Sequence, residues 1–418
     1  MGLGYLKIVT RTLNEVLPVK DVSIIVKDTT GNILYRLKTD ESGNSPTVEL
    51  KAPEKRHTLS PNYSGPYYYT YDVELNRENF ITKIIKGIQI FDTITSILPV
   101  IMIPKPLNSG NLVDVIGIPE TLLYSKETRE QKKSEIPETR SGEIAFPKHL
   151  IVHLGVPDEE ATNIRVKFSD YIKNVASSEI YPTWPQASLE ANIYTIITFT
   201  LHRLCSRHYR NSGHNFDITN SATHDQAFTE GREIPVNIAK IVDKIINSYI
   251  SDTENKKPCF TNYCNGIENN LAGLSKWGTV PLANRGLSSA QILKNYYPEN
   301  IEIIEVIEAR DATITDEDTA RLLGINEKKK KIDVSELNKV LKLGDEGKEV
   351  GAIQNFLTYI SEFYNEIPDV LETKMFDEQT RNTVIEFQKL FGLTKDGIVG
   401  NQTWTILGNV YNGIIENI

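Results

Sequence analysis

The chain has 418 residues, more than one hydrophobic core usually serves, so about two to four domains are expected. It is 39% hydrophobic and 24% charged, which is ordinary for a soluble globular protein. A formal net charge of −9 argues against a nucleic-acid binder, which needs a basic surface, but leaves a sugar polymer open as partner.

The N-terminus, Met1 to Lys7, lacks a basic stretch followed by an apolar one, so no secretory signal or myristoylation motif is read there. The first hundred or so residues then read as short strands. Leu6, Ile8 and Thr10 alternate with polar neighbours, and Val22 to Val26 is a short apolar run. Ile33 to Leu37 follows the hairpin-type turn Thr30-Gly31-Asn32, and Ser42-Gly43-Asn44 leads into Thr47 to Leu50. Tyr67 to Leu75 is aromatic and β-branched, as a strand packed on one face should be. A β-sandwich-like domain over 1–105 is expected. Ile94 to Ile103 is apolar but too short to span a bilayer and contains Pro99, so no membrane partner is expected.

From 106 to 148 the pattern dissolves. Ser125 to Ser134 is charged with no apolar face, and Pro137 follows, which predicts an exposed, protease-accessible linker. A second polar break around Asn326 to Asp333 sets a linker over 313–340.

The segment 149–312 between these breaks carries the chemistry. Phe168, Tyr171, Ile172, Val175 and Ala176 recur at helical spacing, predicting an amphipathic helix over Val166–Ser178. The next position on that stripe is Glu179, followed by Ile180-Tyr181-Pro182-Thr183-Trp184-Pro185. A carboxyl desolvated beside tyrosine and tryptophan suits a general acid, although a helix cap or a local ion pair also explains the position. A second helix, about Ala187 to Arg207, reads as the core helix, with His202 and His208 near its end and no catalytic role assigned to them. The Gly-, Asn- and aromatic-rich stretches after it are the kind that line clefts. Cys205, Cys259 and Cys264 give neither a disulfide framework nor a zinc spacing; Cys259 and Cys264 have the option of pairing, and two buried thiols is the reading preferred.

Ser178-Glu179 with Trp184-Pro185, the helix from Ala187, Asp225-Gln226, Leu274-Ser275-Lys276-Trp277-Gly278 and Ile292 to Pro298 occur in the order found in SpoIID-type lytic transglycosylase domains, which this segment resembles. The resemblance implies an α+β fold and Glu179 as catalytic acid/base. Beside it, Tyr181 and Trp184 are read as desolvating the acid or stacking on a sugar face, with a core role for Trp184 an equal reading, and Asn192, Gln226, Tyr263 and Ser275 are candidate polar contacts to substrate. Departures are visible. The family's Leu-Lys-Ala-Gln is Leu189-Glu190-Ala191-Asn192, Ile197 replaces an arginine, and Ser-Gln-Trp-Gly has become Ser275-Lys276-Trp277-Gly278. The His/Cys zinc cluster of some members is missing, with only His224 nearby, so neither metal nor cofactor is expected.

Two further resemblances frame the segment. Pro18 to Val22, Thr39 to Gly43 and Leu50 to Pro53 resemble the transthyretin-like fold of carboxypeptidase regulatory domains. Leu343 to Gly347, Ile353-Gln354, Phe387-Gln388, Asp396 to Gly400 and Thr403-Trp404 resemble the type 1 peptidoglycan-binding domain, a small three-helix fold expected over 341–410. Its usual Asp-Gly-x-Phe-Gly turn is replaced by Glu372 to Asp377.

This multidomain α+β order resembles the clostridial spore cortex-lytic enzymes. That resemblance implies a zymogen laid down in the spore around the cortex, made in the mother cell without a signal peptide. A subtilisin-like Csp protease would cut it in the linker at germination and release the N-terminal pro-domain. The implied reaction cleaves the MurNAc–GlcNAc bond of cortex peptidoglycan to 1,6-anhydro products. An N-acetylmuramoyl-L-alanine amidase and a non-catalytic wall-binding scaffold are the alternatives.

Overall fold

Alternating apolar and polar residues build the N-terminal strands, whose inward-facing side chains meet in one core. The computed structural model describes residues 1–12, 18–103, 111–123, 146–147, 149–253, 256–259, 261, 273–297, 300–306, 339–361, 364, 367–368 and 370–416. Strand β1 (Gly2–Arg11) buries Leu6, Ile8 and Thr10, as their spacing predicts. It lies between β4 (Val48–Ala52), antiparallel, and β7 (Thr95–Ile101), parallel. A second sheet has the order β3-β2-β5-β6-β8, from β2 (Ser23–Lys27), β3 (Ile33–Lys38), β5 (Tyr69–Asn76), β6 (Thr82–Ile90) and β8 (Val113–Gly117). Leu6, Ile8, Ile24, Val26, Val73, Ile85 and Leu98 from both sheets share one apolar core. Gly43 carries φ +70°, and a Cβ there would collide with the Thr10 carbonyl, so this turn requires glycine.

The apolar run Ile94–Ile103 holds strand β7, inside the stretch expected to be β-rich. One stretch differs from the expectation. Strand β8 forms inside the stretch expected to be linker, and residues up to 123 pack on the protein. Its alternation is inverted, with Val113 and Val115 facing solvent while Asp114 pairs with the buried Lys83 of β6. No apolar inner face marks it in the sequence.

The fourth strand of the first sheet comes from far along the chain. Strand β12 (Ile234–Pro235) pairs antiparallel with β7, giving the order β12-β7-β1-β4. The N-terminal sheets are therefore joined by backbone hydrogen bonding to the central segment.

In that segment, β9 (His149–His153), β10 (Asn163–Lys167) and β11 (Ile218–Thr219) form a three-stranded sheet. Val166 and Lys167 belong to β10, so helix α1 spans Phe168–Glu179 and starts two residues later than its apolar spacing predicts. It ends where Ile180 turns extended ahead of Tyr181-Pro182. Helix α2 (Gln186–Cys205) is buried almost all round, as a central helix must be, with Ile193, Ile196, Ile197 and Leu201 in the interior. Thr195, Thr198 and Thr200 return their hydroxyls to the carbonyls one turn back, which satisfies polar groups in an apolar setting. Helix α3 (Val236–Ile245) packs on α1 and α2, while β13 (Ser248–Asp252) pairs with β14 (Ile301–Glu305).

At the C-terminus, the helices Lys348–Ser361, Glu378–Leu390 and Asn401–Glu416 surround a core of Val350, Ile353, Leu357, Val384, Phe387 and Leu407. Two buried glutamines play equivalent parts. The Gln354 amide donates to the Met375 carbonyl and accepts from the Lys374 N–H; the Gln388 amide donates to the Ile398 carbonyl and accepts from the Gly397 N–H. Lys374, at φ +60°, occupies the left-handed position that Gly397 takes at φ +68°. The turn at Glu372–Asp377 thus keeps the backbone shape of a glycine turn without the glycine.

Candidate active site

Glu179 closes α1 and is only 3% exposed. One carboxyl oxygen accepts the Ala227 N–H at 2.8 Å, and the other lies 2.9 Å from the Lys276 ammonium. A buried carboxylate held by one backbone donor and one cation is satisfied electrostatically and fixed in place. Lys276 sits in the Ser275-Lys276-Trp277-Gly278 turn ahead of helix α4 (Thr279–Asn284). That turn is tight: Gly278 donates to the Ser275 hydroxyl at 3.1 Å, and a Cβ on Gly278 would collide with the Tyr296 hydroxyl.

Aromatic rings cluster in the chain segments next to Glu179 and Lys276. Tyr181, Trp184 and Trp277 pack mutually, the two indoles with centroids 5.1 Å apart. The N-terminal region covers them. Tyr67 lies 5.1 Å from Tyr181 and 5.9 Å from Trp277, Phe91 lies 5.7 Å from Tyr181, and the Trp184 indole N–H donates to the Thr58 carbonyl at 2.8 Å. The segment after β8 lies against the acid itself. The Leu122 N–H donates to the Ser178 carbonyl at 2.9 Å, and the Leu122 carbonyl accepts from Lys276 at 3.1 Å.

A second buried charge lies on the same boundary. Burial pushes the Glu233 carboxyl up to about 7, opposed by the neighbouring Arg232 guanidinium. Glu233 accepts the Gln89 N–H at 3.2 Å, and Arg232 donates to the Pro119 carbonyl at 2.8 Å. Both charged groups therefore bond across to the N-terminal region.

The structure brings Tyr181, Trp184 and Ser275 close to Glu179 in the fold, through the aromatic cluster and the Lys276 turn. The Asn192 and Gln226 side chains are both buried and bonded to neighbouring elements. The Asn192 amide donates to the Ser188 carbonyl and the Thr279 hydroxyl. The Gln226 amide accepts from Tyr171 and Thr200 and donates to the Ile196 carbonyl. Asp225 is likewise structural, paired with Arg203 at 2.8 Å and accepting from Tyr209 and Thr219. Tyr263 and Cys264 lie outside the described residues. Among the described residues no group of three His, Cys, Asp or Glu is placed to hold a metal ion, and no helix is long and apolar enough to cross a membrane.

Sequence reasoning passed over Lys276 as the partner of Glu179, Trp277 as part of the aromatic wall, and the Arg232–Glu233 pair. The altered Ser275–Gly278 motif was the available signal for the first two. Nothing periodic marks the third.

Comparison with known proteins agrees with two parts of the chain. Residues 158–256, which include Glu179 and β12, match the family model of the Stage II sporulation protein SpoIID. Residues 346–407 match the model of the peptidoglycan binding domain. Together these matches point to a SpoIID-like sporulation protein that acts at the cell wall and has peptidoglycan as a partner. No curated protein matches. Among solved structures, BcpA, the major pilin subunit of Bacillus cereus, is similar at 15% identity and a TM-score of 0.16, and a variant of it at 13% identity with the same score. Each match covers 28% of this chain and 28% of the pilin, and at that score the likeness carries no argument.

Proposed function

We propose that the protein is the precursor of a spore cortex-lytic enzyme of the SleC type, a lytic transglycosylase held inactive by its N-terminal region. The observation that carries the reading is Glu179: a single carboxyl at a helix end, beside an aromatic wall, roofed by residues of the first 123.

A lytic transglycosylase needs one carboxyl group, in contrast to the pair of a glycoside hydrolase. Glu179 in its acid form donates a proton to the oxygen joining N-acetylmuramic acid to N-acetylglucosamine. The resulting carboxylate then takes the proton of the muramoyl C6 hydroxyl, whose oxygen closes onto C1 and leaves a 1,6-anhydro end. Tyr181 and Trp184 wall the sugar site, and Ser275 offers a hydroxyl at its rim. Asn192 and Gln226 act from beneath, by holding α2 against α4 and the Asp225 turn.

The uncut chain is a resting form, since its acid is buried and ion-paired. Cutting within 124–148 by a subtilisin-like Csp protease separates the covering region from the catalytic one. The C-terminal helices keep the cut enzyme on cortex peptidoglycan in the spore. The test is Glu179→Gln in the cut protein: it sediments with cortex like the wild type but leaves the suspension turbid. Clearing at the wild-type rate by this variant removes Glu179 from the mechanism.

A further inference from the structure

Residues 119–123 lie between the N-terminal region and the central segment and bond to both. On the N-terminal side, the Pro119 carbonyl accepts from the Gln89 amide at 3.0 Å, and the Thr121 hydroxyl donates to Gln89 at 2.7 Å. On the central side, the groups used are those of the main chain. The Pro119 carbonyl also accepts from Arg232 at 2.8 Å. The Leu122 N–H donates to the Ser178 carbonyl at 2.9 Å, and the Leu122 carbonyl accepts from the Lys276 ammonium at 3.1 Å. The Leu123 side chain packs on the central core.

The central segment thus holds this stretch by its peptide groups, and main-chain bonding of that kind suits any peptide of the right course. What it offers is one carbonyl acceptor, at Ser178, and two cationic donors, Arg232 and Lys276. The Lys276 charge is matched by Glu179 at 2.9 Å. The Arg232 charge is met less fully. Glu233 lies 3.7 Å from it, and its Nε and Nη1 have no hydrogen-bond partner among the described residues, although the side chain is 0% exposed. A buried guanidinium spent on a neutral carbonyl has donors to spare, and a carboxylate takes them as two parallel bonds.

We propose that residues 119–123 fill a peptide-binding groove of the central segment, and that the groove takes an acidic stem peptide of peptidoglycan once they withdraw. Arg232 then holds a peptide carboxylate in place of the Pro119 carbonyl, while the Ser178 carbonyl and Lys276 hold a peptide group where Leu122 was. The glycan that bears the peptide is thereby brought to the end of α1, where Glu179 stands. The inference rests on peptidoglycan being the substrate of the proposed reaction, but its test reads binding and does not need turnover.

The probe is the dye-labelled tripeptide L-alanyl-γ-D-glutamyl-diaminopimelate, with its carboxylates free or amidated, titrated against the full chain. Thr121→Val with Leu122→Pro removes the hydroxyl on Gln89 and the N–H on Ser178, and this variant is expected to bind the free peptide roughly tenfold more tightly than wild type. Amidating the peptide is expected to weaken that binding roughly tenfold, and adding Arg232→Gln to abolish the preference for free carboxylates. Amidation tests the contact from the peptide side, whatever Arg232→Gln does to folding. The same order is expected in wild-type sequence cut at a single protease site engineered within 124–145, which gives residues 119–123 a free end. Binding by neither loosened form above that of uncut wild type overturns the groove, as does equal affinity for free and amidated peptide. A preference for free carboxylates that survives Arg232→Gln overturns the part given to Arg232. A cut protein that takes the peptide but releases no 1,6-anhydro ends from cortex keeps the groove and loses the proposed reaction, whereas one that releases them without binding the peptide loses the groove alone.

Discussion

Two buried carboxylates at the covered boundary differ in how they are held. Glu179 has a backbone donor on one oxygen and an ammonium 2.9 Å from the other, whereas Glu233 has a more distant guanidinium, 3.7 Å away, beside the Gln89 N–H. Burial therefore dominates at Glu233 and raises it from 4.5 to about 7. A carboxyl whose folded value lies above its unfolded one contributes stability that is full below about 4.5 and lost as pH rises through about 7. We expect thermal stability relative to Glu233→Gln to fall across that window, by on the order of 3 kcal/mol. Melts in which the two proteins stay parallel from pH 4.5 to 8 contradict this. At Asp225 the pair with Arg203 is fully buried, so Asp225→Ala leaves an uncompensated guanidinium and is expected to destabilise by about 3–5 kcal/mol in chemical denaturation. An effect below about 1 kcal/mol would mean that Tyr209 and Thr219 hold the turn without it. Glu179 was legible in the sequence because it continues an apolar stripe. Lys276 was not, because a residue that meets it only through tertiary packing leaves no period to read.

Among the elements, the readable ones are those whose own pattern decides them. Strands β1 and β4 alternate in burial, α1 shows a helical stripe, and α2 carries Ile193, Ile197 and Leu201 on one apolar face. Strand β8 has its valines outward, and β12 is two residues long, so each exists only through its partner, β6 or β7. The turn at Glu372–Asp377 is the converse case: its sequence departs from the expected motif, yet the backbone does not. Lys374 at φ +60° bears a left-handed conformation that costs a side-chain residue about 1 kcal/mol or more. Lys374→Gly is accordingly expected to stabilise the C-terminal helices by about 0.5–1 kcal/mol, read from the denaturation midpoint. Destabilisation by this change would show that the Lys374 side chain contributes more than its backbone costs.

At the scale of the whole molecule, the N-terminal region and the central segment share a sheet, an aromatic cluster and two buried charges. Such a boundary holds the two regions together. Its opening has an optical signature, since Trp184 loses the Thr58 carbonyl and Trp277 loses Tyr67. In a Trp404→Phe background, emission is expected to shift to the red as the N-terminal fragment leaves, and an unshifted spectrum after its removal contradicts the cover. The segments that match the Stage II sporulation protein and peptidoglycan binding models were visible in their motifs. The cover was not, because it depends on residues of the first 123 meeting Glu179, Arg232 and Lys276 in space. The most direct test of the central claim is mass spectrometry of muropeptides released from cortex peptidoglycan by the cut protein. The account predicts 1,6-anhydromuramoyl ends from wild type and none from Glu179→Gln. Free stem peptides or reducing muramic acid ends as the main products contradict it.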